Sequence, residues 1–184
     1  MGVRMTVWVI YPLRIMINFA EMDMAVSRTE LKKAHERLQR LAEPLANLSK
    51  KQMKALPASE FFLDDLLQLA DITSHEARKR HIKRLGKLLA EEEPHAIVEF
   101  LFRHTFSPEQ QAKIESWQTR LNLQDDNTLK QFTKTFFDSE FNTIKQLLIW
   151  IAYAEYTQDD ELMNESVADL HTYIRQVAIL SKGK

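Results

Sequence analysis

Leu31, Leu38 and Leu45 recur every seven residues, with Leu41 and Leu48 between them. That spacing lays side chains along one stripe of a helix, as in a coiled-coil seam. No segment of the chain sustains an alternation of period two. The expected fold is therefore all-α and multi-helical, with two small helical lobes built from helix pairs and joined by short loops. Pro44 sits inside the seam, so a kink or break is expected near Leu41, and Pro57 closes the segment. Ser27-Arg28-Thr29-Glu30 reads as a capping box, and Thr73-Ser74-His75-Glu76 resembles a second one. Between them, Ala58-Ser59-Glu60 opens a helix carrying Phe62, Leu66, Leu69 and Ala70. Either one helix runs from Ser59 to Glu91 or it breaks at Thr73. Glu91-Glu92-Glu93-Pro94 marks the boundary between halves. Beyond it, short helices are expected around Ile97, Phe100 and Leu101; around Ile114, Trp117 and Leu121 after a Ser107-Pro108 start; around Leu129, Phe132 and Phe136; and around Phe141, Ile144, Leu148 and Ile151. A last helix is expected from Ser166, with Leu170, Ile174 and Val177 inward.

Charge separates the halves. The whole chain has a formal net charge of −1. From Arg28 to Ala90 there are 14 Lys and Arg against 8 Asp and Glu, a net of +6; from Glu91 to Lys184 the counts are 9 and 16, a net of −7. Such asymmetry points to a charged partner better than the total does. The positive charge concentrates in Arg78-Lys79-Arg80-His81-Ile82-Lys83-Arg84-Leu85-Gly86-Lys87-Leu88-Leu89, which holds six basic residues and no acid. On a helix, Arg80, Lys83, Arg84 and Lys87 fall together with Lys79 at their edge, opposite Ile82, Leu85, Leu88 and Leu89. Ten residues rise only about 15 Å as a helix. This density of fixed cations suits a polyphosphate backbone better than a small ligand. The competing reading is a solvated charged face.

Composition removes several activities. There is no Cys, which excludes disulfides, thiolate metal sites and thiol catalysis and fits a reducing, cytoplasmic setting. Of the three glycines, Gly2 and Gly183 lie near the chain ends and Gly86 lies in the basic run. No glycine-rich phosphate loop, dinucleotide fingerprint or nucleophile elbow can be assembled. His75-Glu76 is superficially similar to a zinc-protease helix, but Lys79 stands where the second His is required. No catalytic residue, metal site or cofactor is expected. Asp71, His75 and Arg78 would share a side of a continuous helix and form a buried ion-pair network that holds the lobe. Phe132, Phe136, Phe137, Phe141 and Trp150 read as core rather than as a base-stacking platform, and His35, His95, His104 and His171 as surface or capping groups. Gly86 costs its helix about 1 kcal/mol relative to Ala. Two explanations compete: a helix crossing closely, or a nucleic-acid backbone approaching closely.

Met5 to Ala20 is apolar but interrupted by Pro12, Arg14 and Asn18, too short and broken for a transmembrane span. It also lacks the charge and cleavage site of a signal peptide. Translation starting at Met22 or Met24, or an arm packed on the body, are the remaining readings. Residues 1–24 are expected to be a dispensable extension, 25–91 a basic lobe and 92–184 an acidic lobe.

Across roughly Ala25 to Ala178 the chain resembles the YjgA (DarP) family of bacterial ribosome-associated proteins. The resemblance starts at Val26-Ser27-Arg28-Thr29-Glu30-Leu31-Lys32-Lys33 and continues through Leu38-Gln39-Arg40-Leu41 and Leu48-Ser49-Lys50. It is most specific at Arg78–Leu89, similar to the family's arginine run followed by Ile-Gly-Lys. Trp117-Gln118-Thr119-Arg120-Leu121 and Tyr173-Ile174-Arg175 are weaker matches. The resemblance implies a factor that associates with late precursors of the large ribosomal subunit and helps 23S rRNA mature around the peptidyl transferase centre. Lys32, Lys33, Arg78, Lys79, Arg80, Lys83, Arg84 and Lys87 are then the expected RNA contacts, with Gly86 and Asp71 structural. Neither a membrane nor a small-molecule substrate is expected as partner. The chain departs from the family in its apolar start, in Pro44, and in Leu147–Ala152 and the acidic Asp159-Asp160-Glu161 where a basic segment is usual. The N-terminal basic surface is therefore expected to dominate RNA contact. The reading from a different class is a helical protein-interaction adaptor that does not bind RNA.

Overall fold

The computed structural model describes residues 8–10, 16–18 and 28–182. Most of the expected extension, including Met22 and Met24, lies outside the described residues, as does Ser27 of the expected first capping box. Within the extension, β1 (Trp8–Ile10) and β2 (Met16–Asn18) pair antiparallel with Val9 opposite Ile17. The body is all-α.

Helix α1 (Arg28–Arg40) carries Glu30 in its first turn and Arg37 and Arg40 in its last, matching the helix dipole at both ends. It stops one turn before Pro44. A proline there lacks the amide that would bond the Arg40 carbonyl, and its ring crowds that carbonyl. After Leu41 the chain re-enters helix as α2 (Ala42–Ala46). Leu41 and Leu45 are fully buried, and Leu38 and Leu48 pack at the edge of the same core. Ser49 and Gln52 form a capping box at the start of α3 (Lys50–Lys54).

Ser59 caps α4 (Glu60–Leu67), which tightens into a 3₁₀ turn over Gln68–Asp71. Of the two alternatives for Ser59 to Glu91, the break is the one adopted. Ser74, one residue later than expected, caps α5 (His75–Leu88) through the Ala77 amide, so Thr73 and Glu76 do not form a box. The acidic boundary has a direct structural use. The Glu92 carboxylate accepts from the Ser59 amide at 2.9 Å, tying the end of α5 back to the start of α4. Glu93 caps α6 (Pro94–Thr105), with Pro94 in its first turn where a missing amide costs nothing.

Ser107 and Pro108 start α7 (Pro108–Glu115) as expected, followed by α8 (Trp117–Arg120), α9 (Asp126–Thr135) and α10 (Phe141–Thr157). Gln158 adopts the left-handed conformation, φ 55°, and ends α10. The last helix, α11 (Asp160–Lys182), begins six residues before the expected Ser166, which lies buried in its second turn. Asp159 supplies the N-terminal acceptor for the Leu162 amide, and the acids Asp160 and Glu161 follow in the favourable first turn.

Helix α5 packs against α1, α2 and α4, while α11 packs against α6, α10, α7 and α8. One buried cluster nevertheless draws on both expected lobes, from Phe62, Leu66 and Leu85 to Phe102, Phe132 and Ile174. Trp117 stands edge-on to Phe132 at 5.3 Å; both are buried, Phe132 as expected. Phe137 is not: it is 61% exposed, because the chain leaves α9 at Phe136 and turns there. A polar seam joins α1 to the second half. Lys33 bonds Glu140, Arg40 reaches Asp138 at 2.6 Å, and Thr143 donates to Glu30 at 2.6 Å.

Candidate nucleic-acid interface

On the α5 cylinder, Lys79, Lys83, Lys87, Arg80 and Arg84 span, in that order, an arc of about 140°. All five are exposed, while Leu85 on the opposite side is fully buried. The two margins of the arc differ from its centre. At one margin, Arg84 Nη2 lies 3.0 Å from Asp65 Oδ1, whose side chain is 3% exposed. His81 Nε2 sits 2.6 Å from the Asp65 carbonyl oxygen, on the same element. A buried carboxylate is costly unless a cation meets it, so Arg84 is committed in part to holding α5 on α4. At the other margin, Lys79 and Lys83 line a groove whose other residues include Glu36, Gln39 and Arg40 of α1 and Glu43 of α2. Arg80 Nε donates to the Glu76 carbonyl at 3.4 Å within its own helix. Among the described residues, Lys79, Lys83 and Lys87 form no ion pair.

Gly86 is where α1 crosses. A Cβ there would lie 2.8 Å from the Gln39 carbonyl oxygen and 3.0 Å from its Cα. Of the two explanations the sequence allowed, close helix crossing accounts for this glycine.

Two of the expected RNA contacts, Arg78 and Lys33, serve other purposes. The half-buried Arg78 donates to the Leu69 carbonyl at 3.1 Å and the Ala46 carbonyl at 3.0 Å, bolting α5 to the 3₁₀ turn and to α2. The expected buried network with Asp71 and His75 is not formed. The break at Ile72 and Thr73 leaves Asp71 exposed, and the exposed His75 lies 3.8 Å from Glu76. Lys33 faces inward along the seam, held by Glu30 at 3.2 Å and by Glu140. The Glu140 bond, then Glu30, raise its ammonium above the ordinary lysine value. Lys32 remains exposed on α1, 3.8 Å from Glu36.

Asp65, Arg40 and Arg37 were missed from the sequence. Asp65 left a signal: an acid beside Phe62, Leu66 and Leu69 on the apolar face of a helix needs a partner. Among the described residues there is no cluster of His, Asp and Glu fit to hold a metal, and no helix is long and apolar enough to cross a membrane.

The protein is thus an all-α body that carries an exposed cationic face on one helix. Residues 24–175 match the family model of the dual-action ribosomal maturation protein DarP, and the chain belongs to that family. A DarP of Nitrosomonas europaea is 31% identical over 135 residues, covering 70% of this chain and 74% of the relative. One from Nitrosomonas eutropha is 29% identical over 139 residues, covering 72% and 77%. One from Aeromonas hydrophila is 25% identical over 132 residues, covering 68% and 73%. No solved structure matches.

Proposed function

We propose that this chain is a non-enzymatic ribosome maturation factor of the cytoplasm. In this reading it binds late precursors of the large subunit through α5 and assists 23S rRNA near the peptidyl transferase centre. The observation that carries this reading is the exposed group Lys79, Arg80, Lys83 and Lys87 on a helix fixed from behind by Gly86, Arg78 and Arg84. Cations held on a rigid rod lower the repulsion between RNA strands brought together late in assembly. The family's maturation role supports the choice of partner. The test is replacement of Lys79, Arg80, Lys83 and Lys87 together by Gln. RNA affinity should fall and its salt slope flatten by up to about 3.6, at roughly 0.9 per phosphate contact on duplex. Helicity should hold, since Gln is a comparable helix former. Unchanged affinity and slope would make the helix merely structural.

Two exposed phenylalanines, Phe61 and Phe137, favour the adaptor as a second reading. Docking through them would be nearly independent of salt, which separates it from phosphate contact.

A further inference from the structure

A groove of about 290 Å³ lies where α1 meets α6, α10 and α11. Leu38 of α1, Pro94 of α6, and Leu147 and Trp150 of α10 give it half-buried apolar walls. Two carboxylates also line it, and they differ in company. Glu30 is matched by Lys33 at 3.2 Å and by the charge of Arg37. Asp169 of α11 has a side chain 58% exposed, and among the described residues it pairs only with His95, at 3.5 Å. Partial burial holds the Asp169 carboxyl above its ordinary range; His95 opposes this, while the charges of Glu165 and Glu93 add to it. Glu161, Glu165 and Asp169 follow one another at four-residue spacing along α11, a row of like charges that weakens the helix. Among the described residues, Glu161 and Glu165 form no ion pair.

These features restrict the occupant. A phosphate chain would be repelled by Asp169, Glu165 and Glu93. A purely apolar segment would bring no charge to Asp169. Lysine and arginine side chains answer both demands: their stems lie along apolar surface while the charge stays at the rim. A guanidinium also stacks on a tryptophan and bonds a carboxylate. We propose that this groove docks a basic, amphipathic segment of a partner protein, an arginine or lysine stem lying on Leu147 and Trp150 with its charge at Asp169. The acidic row of α11, in a half of net charge −7, steers such a segment in. The source of the segment, a lysine- and arginine-rich extension of a ribosomal protein in the precursor particle, rests on the maturation reading above; the chemistry of the groove does not. Ala34 and Leu38 of α1 line this groove, while Gln39 and Arg40 line the one beside Lys79 and Lys83. The two surfaces thus flank one helix, about 10 Å across, and one molecule can hold RNA on one side and protein on the other.

Fluorescence anisotropy tests the proposal, with the full chain titrated into a labelled amphipathic arginine–leucine peptide of about four helical turns. That peptide should bind about tenfold more tightly than an oligolysine of equal charge. Asp169→Asn, an isosteric change at the surface, and Trp150→Leu should each weaken binding about fivefold, with the fold retained by circular dichroism. Glu109→Gln removes the same charge from α7, away from the groove, and should stay within about twofold of the parent. The Lys79, Lys83 and Lys87→Gln variant should keep peptide affinity while losing rRNA affinity. If that variant instead keeps rRNA affinity while peptide binding still depends on Asp169, the basic-face reading falls and the groove stands. Failure of the peptide to bind, equal binding of the two peptides, or equal effects of Asp169→Asn and Glu109→Gln would overturn the proposal. So would displacement of the peptide by single-stranded oligouridine, or self-association in sedimentation that depends on Asp169, which would seat RNA or a second copy in the groove.

Discussion

Gly86 shows at residue scale how two energies of opposite sign are decided by distance. Exchanging it for Ala gains helix propensity of about 1 kcal/mol. The added methyl would sit 2.8 Å from a backbone oxygen of Gln39, which can yield only if α1 shifts. Overpacking of this kind costs about 1–3 kcal/mol. Gly86→Ala should therefore lower the urea midpoint; a rise would mean that α1 relaxes freely. Arg78, on the buried side of α5, differs from the lysines of the arc in the same physical sense. Arg78→Gln removes a cation from two buried carbonyls and should cost about 2 kcal/mol in urea denaturation, at the level of charge-assisted hydrogen bonds. Lys83→Gln, fully in water, should stay within about 0.5 kcal/mol of the parent. Equal costs at the two positions would contradict the placement of Arg78.

At the scale of elements, the seam between α1 and α10 is sensitive to pH. Burial would raise the Glu30 carboxyl, but hydrogen bonds from Thr143 and Lys33 outweigh it and hold the group below its ordinary value of 4.5. A carboxylate shifted down stabilises the fold above its unfolded value, and that contribution is lost as pH falls through the folded one. Lys33 is shifted up from 10.5, so its contribution is complete below that pH and fades as pH rises through the folded value. The seam should hold between the two limits. Stability measured from pH 7 down to 3 should decline less in Thr143→Val than in the parent, because that variant loses one of the bonds that lower Glu30. Parallel declines would show that the bond carries no linkage. The break at Pro44 and the helix starts at Ser59 and Ser107 were legible from neighbouring residues, whereas the capping box at Ser49 was not read from the sequence.

For the whole molecule, the charge asymmetry becomes a division of surfaces. The positive half turns Lys79, Arg80, Lys83 and Lys87 outward, while part of its charge is spent inward on the acids of the second half through Lys33 and Arg40. Cations committed to these acids are not available to a polyanion, so the effective cation count is smaller than the net +6 from Arg28 to Ala90 suggests. The protein should co-sediment with free large subunits or their precursors at low salt, leave them as salt rises, and be depleted from polysomes. Gradient fractions probed for the protein check this, and its confinement to the top of the gradient at low salt would count against the proposal.

The sequence by itself determined the all-α class, the break near Leu41, the burial side of α5 and the location of the cationic run. Those properties follow from the spacing of residues along one helix and from proline's missing amide, and they need no knowledge of neighbours. Tertiary structure alone decided which cations remain outward. Arg84 and Lys33 look like their neighbours in sequence, and they differ only because carboxylates from distant elements lie beside them. The same holds for Phe137, whose exposure is set by the turn after α9, and for Gly86, whose reason is a crossing helix 47 residues earlier. Periodicity encodes the face a side chain occupies, but the partner on that face comes from long-range packing that no local window contains.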